Sequence, residues 1–151
     1  MELSFLLLFF LPHLSSISLA ATLGKSIKVP DSDATLKSLI TRSVLQQTNN
    51  ELHDSVWWVP VTNSPLKATK TTVAQGTRLY TTYDFTLTSA KSTCSRNAVP
   101  YASISKCTVD PKYSDRQTCK VSLAWYERDY SSIEMETYCS LQAGLFSSSK
   151  P

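Results

Sequence analysis

The chain is poor in the residues that most catalytic chemistry needs. Once an N-terminal leader is set aside, one histidine remains, His53, between Leu52 and Asp54 and just past a helix end. A Ser-His-Asp or Cys-His device would have to be built on that single imidazole, which reads as a surface residue. A zinc site of His and Cys ligands lacks members for the same reason. Glycine is scarce too. Gly24, Gly76 and Gly144 never cluster, so no glycine-rich loop is present to cradle a phosphate. The carboxylates show no spacing that marks an acid–base pair. Lys and Arg are scattered, without a basic stripe interleaved with aromatics, which argues against nucleic-acid binding. Asn63-Ser64 is followed by Pro65, so N-glycosylation is not expected. Enzymatic activity, a metal and a cofactor are accordingly not expected, and a binding or inhibitory module is the better class.

Long apolar runs are absent except one. Residues 3–11 are almost only Leu and Phe, and Pro12 breaks the run. About ten apolar residues are too few to span a bilayer and suit the central region of a signal peptide. Ser18-Leu19-Ala20 offers small residues for a signal peptidase, so cleavage is expected after Ala20, although the start carries Glu2 and no Lys or Arg. Residues 1–20 are thus read as a signal peptide and 21–151 as a single secreted domain with no membrane segment in its mature form. Loss of Glu2 leaves 11 acidic against 15 basic residues, a mild positive balance that suits solubility.

Cysteine is present in a telling way. Cys94, Cys107, Cys119 and Cys139 all fall in the last third, and their number is even. A small extracellular domain is short of core, and disulfides hold it together. Spacing alone leaves three connectivities open.

Residues 32–49 form the one long segment with helical period. Leu36, Leu39, Ile40, Val44 and Leu45 make a single apolar stripe at steps of three and four. Pro30 precedes it, Asp31, Ser32 and Asp33 are candidate N-caps, and Asn49-Asn50 is the expected end. Strands follow. Residues 55–61 are aromatic and β-branched, with Pro60 pointing to an edge or a bulge. In residues 79–88, Leu79, Thr81, Tyr83, Phe85 and Leu87 share one face, the pattern of a half-buried antiparallel strand. Folding residues 119–139 about Asp129 sets Cys119 against Cys139, Val121 against Thr137, Leu123 against Met135 and Trp125 against Ile133, all on one face. A disulfide clasping the mouth of this hairpin is geometrically natural. Cys94 and Cys107 would then close the connection before it, where Pro100 and Pro111 read as loop. A helix covering an antiparallel sheet is an α+β layer fold.

This order of elements resembles the secreted two-disulfide cystatins, a family that inhibits papain-like cysteine proteases. The resemblance spans most of residues 21–151. It rests on Thr22-Leu23-Gly24 ahead of the helix, Lys91-Ser92-Thr93-Cys94 at a strand end, Cys107, Arg116-Gln117-Thr118-Cys119, and a hairpin closing at Cys139. It implies a cystatin-like α+β fold: one long N-terminal helix on a curved four- to five-stranded antiparallel sheet. It also implies first-to-second and third-to-fourth disulfides.

The family inhibits with three pieces, and the resemblance implies residues for each. Leu23 and Gly24 correspond to the N-terminal segment that occupies the non-primed subsites. Thr72, Val73, Ala74, Gln75 and Gly76 correspond to the first hairpin loop, without its leading Gln. The second loop departs further, because its Pro-Trp position holds Glu127 and Arg128. Trp125 lies earlier, either as core or as a protease contact. The helix end, Asn49-Asn50-Glu51, is similar to a legumain-binding site of some cystatins, with Asn50 presented. The partners so implied are a papain-like cysteine protease and a legumain-type protease. The alternatives are a non-inhibitory interaction module on the same fold, or a cathelin-like pro-domain. The tail 140–151, with one Lys and no Arg, fits a cathelin-like protein poorly.

Overall fold

The computed structural model describes residues 24–127 and 129–143. The expected signal peptide, Leu23 and Arg128 lie outside the described residues. One helix, α1, runs over residues 34–52. Asp33 is the cap among the three candidates. Its Oδ1 accepts the Leu36 N–H at 2.7 Å, satisfying one of the orphan donors of the first turn. Leu36, Leu39, Ile40, Val44 and Leu45, the expected stripe, are all buried. The middle of α1, Ile40–Val44, is wound as a π-helix. The Leu45 N–H donates to the Ile40 carbonyl rather than to that of Thr41, and the freed Thr41 carbonyl accepts the Tyr101 hydroxyl instead. An outside donor thus replaces the lost intrahelical bond.

The helix ends later than expected. Asn49 does not terminate it; His53 does, in the left-handed region at φ 48°. Asn49 is fully buried. Its amide nitrogen donates to the carbonyls of Leu45 at 2.8 Å and Trp58 at 2.9 Å, and its oxygen accepts the Trp58 N–H at 2.8 Å. That side chain pins the helix to the next strand and is fully employed there.

Six strands make one antiparallel sheet: β1 Ser26–Lys28, β2 Val56–Pro60, β3 Thr69–Gln75, β4 Arg78–Ser95, β5 Arg116–Tyr126 and β6 Glu134–Gln142. The spatial order is β1-β3-β4-β5-β6, and β2 pairs with the far half of β4. The sheet therefore has one strand more than the upper bound of the expectation. Pro60 lies opposite Ser89 and Thr69 opposite Asp84, so β2 and β3 occupy the same edge of the long β4. Residues 61–68 leave that edge and return to it.

The core fills the space between α1 and the sheet. Tyr83, Phe85 and Leu87 of β4 and Val121, Leu123 and Trp125 of β5 meet the helix stripe there. Alternation with period two delivers them to one face. A smaller cluster gathers Trp57, Val59 and Ile104 with the Cys94–Cys107 disulfide. The second disulfide joins Cys119 to Cys139, which face each other in the β5–β6 register. Val121↔Thr137 and Leu123↔Met135 follow the register expected from folding about Asp129, but the ladder ends at Ala124↔Glu134, so the expected Trp125–Ile133 pair is not part of it.

Candidate functional site

Three stretches of chain, remote in sequence, meet at one end of the sheet. The first is the segment at Gly24. Leading out of β1, Gly24 lies flat on the backbone of β3: a Cβ there would stand 2.1 Å from the Thr72 carbonyl oxygen and 2.8 Å from Val73 Cγ1. Only glycine allows that approach.

The second stretch is the β3–β4 hairpin. Gln75 pairs with Arg78, so Gly76 and Thr77 alone make the turn. Gly76 has φ +62° with open space around its Cα, which meets the need for positive φ at the first central position of a tight hairpin turn. Thr72, Val73, Ala74 and Gln75, expected as loop, are the end of a strand, and the tip is Gly76-Thr77. The hairpin turn is short and preformed.

The third stretch is the β5–β6 connection. The Glu127 N–H donates to the Leu79 carbonyl at 2.8 Å, and the Asp129 N–H to the Tyr126 carbonyl at 3.0 Å. Trp125 is 4% exposed and stacks on Tyr83. It supports the tip from the core side and has no surface for a partner. Its neighbour Tyr126 points to the opposite face of the sheet, where it packs edge-on against Tyr80.

Polar contacts tie the second and third stretches together on both faces. On the helix side, the Thr81 hydroxyl donates to Glu127 Oε1 at 3.4 Å and lies 3.1 Å from the Thr72 hydroxyl. On the outer side, the Tyr126 hydroxyl donates to Gln75 Oε1 at 2.8 Å. The Arg78 guanidinium lies over the Tyr126 ring, 4.3 Å from its centroid, and reaches Asp129 Oδ2 at 3.2 Å. The Ser131 hydroxyl and then Arg78 hold the Asp129 carboxyl below its usual range. Burial and the Glu134 carboxylate, whose Oε2 accepts the Tyr80 hydroxyl, raise the Tyr80 phenol. The sequence does not reveal this network, because Arg78 and Asp129 lie on different hairpins.

Asn50 is elsewhere. It is exposed, within the helical run of α1, beside a shallow groove of about 480 Å³ shared with Gln46, Gln47, His53 and Met135. Glu51 accepts a hydrogen bond from Gln47 at 3.0 Å. Asn50 lies in the last turn of α1, two residues before its end at Leu52. Among the described residues no group of His, Cys, Asp and Glu is arranged to hold a metal ion, and no helix is long and apolar enough to cross a membrane. No protein-family model matches the chain, and comparison with curated proteins gives no match.

Proposed function

We propose that the protein is a secreted, reversible inhibitor of papain-like cysteine proteases on a cystatin-like fold, blocking the active-site cleft with the edge just described. The observation that carries this reading is the seating of Gly24 on Thr72 and Val73. Gly24 rests on the strand that leads into the first hairpin tip, while Arg78 joins that tip to the second. Two joined hairpin tips with the Gly24 segment beside them suit a cleft that binds an extended peptide. Such plugging needs no reacting group, which agrees with the scarcity of catalytic side chains. The turn at Gly76-Thr77 is preformed, so little conformational freedom is lost when it docks. The two disulfides agree with folding in an oxidising compartment.

The test is a steady-state assay of papain with peptide substrate. Competitive inhibition with the chain recovered uncleaved is expected. Absence of competition at micromolar protein would overturn the reading.

One observation favours the non-inhibitory alternative, an interaction protein on the same fold. The second tip is polar: in sequence Glu127 and Arg128 hold the place of the family's apolar pair, Asp129 follows them, and Trp125 is turned inward. A chain that fails to compete at the papain cleft but binds another protein through Glu127 and Asp129 would fit that alternative.

A further inference from the structure

We infer that Arg78 is the positioning residue that joins the two hairpin tips into one preassembled edge. An exposed ion pair alone contributes little, and Arg78 and Asp129 keep 52% and 37% of their side-chain surface. Here, however, the guanidinium makes two different contacts with one hairpin. It covers the Tyr126 ring, and one of its terminal nitrogens reaches Asp129 Oδ2 at 3.2 Å. The aromatic face attracts the cation, and the planar guanidinium can stack on the ring while one arm donates to the carboxylate, a combination that a lysine ammonium matches less well. Tyr126 is held from the same side by Gln75, which pairs with Arg78 across the first turn. The first tip therefore grips the second at the Tyr126 hydroxyl and over the face of its ring. Tyr80 extends the network to Glu134 at the start of β6. Both charges of the clasp are already satisfied, so the edge meets a partner as a stiff polar ridge.

The consequence for binding rests on the proposed protease reading, but the consequence for order does not. The test uses the full secreted chain as wild type, Arg78→Ala, Arg78→Lys and Asp129→Asn. The first measurement is amide hydrogen exchange at Glu127 and Asp129 in the free protein. Arg78→Ala should speed exchange there by about tenfold, as expected when an exposed ion pair and cation–π contact are lost together, while core amides of β4 and β5 stay unchanged. Asp129→Asn and Arg78→Lys, each keeping one of the two contacts, should give smaller effects. The second measurement is the papain dissociation constant, which should rise in the same order across the variants. Unchanged exchange at the tip in Arg78→Ala overturns the inference. A wild-type chain without papain affinity defeats the protease reading instead, and the exchange measurement still decides the clasp.

Discussion

Trp125 and Tyr83 stack across β5 and β4 with ring centroids 5.4 Å apart and planes 8° from parallel, directly beneath the second hairpin tip. The pair lies on the helix side of the sheet, in the same cluster as Leu36 and Leu123. Truncating Trp125 to Ala should cost about 3–5 kcal/mol by the transfer and cavity terms of a large buried aromatic. Trp125→Phe should keep most of the stability and, if the proposed inhibition holds, leave papain affinity nearly unchanged. Urea unfolding and inhibition assays on the two variants separate the roles. A large loss of affinity in Trp125→Phe at unchanged stability would mean that the indole touches the partner directly.

Asn49 should be as demanding as a core residue although it is polar. Asn49→Ala removes four side-chain hydrogen bonds, to Leu45, to both backbone groups of Trp58 and from Arg96, and strands the N–H and carbonyl of Trp58 next to a buried indole. An unmet buried backbone group costs about 1–3 kcal/mol, so a lowered denaturation midpoint is expected. Asn50→Ala, one residue on and exposed, should leave the midpoint where it is. Equal effects of the two substitutions would contradict the pinning role.

These two residues also show where a sequence is legible. The Asn49-Asn50 pair reads as a helix stop by propensity, yet tertiary bonding to Trp58 holds Asn49 inside the helix, which runs on to Leu52. The helix stripe and the Cys119–Cys139 hairpin were legible because each rests on a local periodicity. β1 was not: its three residues are exposed and show no alternation. Residues 72–76 read as a loop only through the resemblance to the cystatin hairpin motif, and residues 69–75 show no clean apolar alternation that would mark a strand. The strand character of β3 comes from pairing with β1 and β4. The Arg78 network spans two hairpins, and no local pattern records it.

Either disulfide should contribute roughly 2–5 kcal/mol, the usual range for a small secreted domain. Non-reducing peptide mapping should find Cys94 with Cys107 and Cys119 with Cys139. Serine at both positions of one pair, followed by thermal unfolding, measures each bridge. A midpoint indifferent to loss of Cys119–Cys139 would mean that the β5–β6 register holds without it.

The Asp54–Lys91 pair makes part of the stability dependent on pH. Burial pushes the Asp54 carboxyl up, but hydrogen bonds from Lys91 and the Trp58 indole outweigh it, and the net shift is below 3.8. Lys91 is raised above 10.5, chiefly by Asp54, with Asp115 adding to it. The depressed carboxyl contributes fully above its unfolded value and loses that contribution as pH falls through its lowered one. The raised ammonium contributes fully below 10.5 and loses its part as pH climbs through the raised value. The contribution is thus complete between those limits. Asp54→Asn should lower the unfolding midpoint throughout that window, and the gap from wild type should close as pH drops below 3.8. A gap independent of pH would show that the carboxylate charge is not what the pair uses.

If the edge inhibits papain-like proteases, its affinity must come disproportionately from the N-terminal segment. Both tips carry polar side chains, and the charges of Arg78 and Asp129 are already engaged with each other. Polar rim contacts add more to encounter rate and specificity than to affinity. Deleting residues 21–24 should therefore abolish most binding. Gly24→Ala is the finer probe. The added Cβ collides with the Thr72 carbonyl, so the segment must lift away from β3. Since β1 is only Ser26–Lys28 and exposed, the unfolding midpoint should barely move. The papain inhibition constant should rise by roughly thirtyfold, the scale of one hot-spot loss of about 2 kcal/mol. Arg128→Ala, by contrast, should matter little. Full inhibition by the 21–24 deletion would break the argument at its first step: the hairpin tips would then be carrying the affinity.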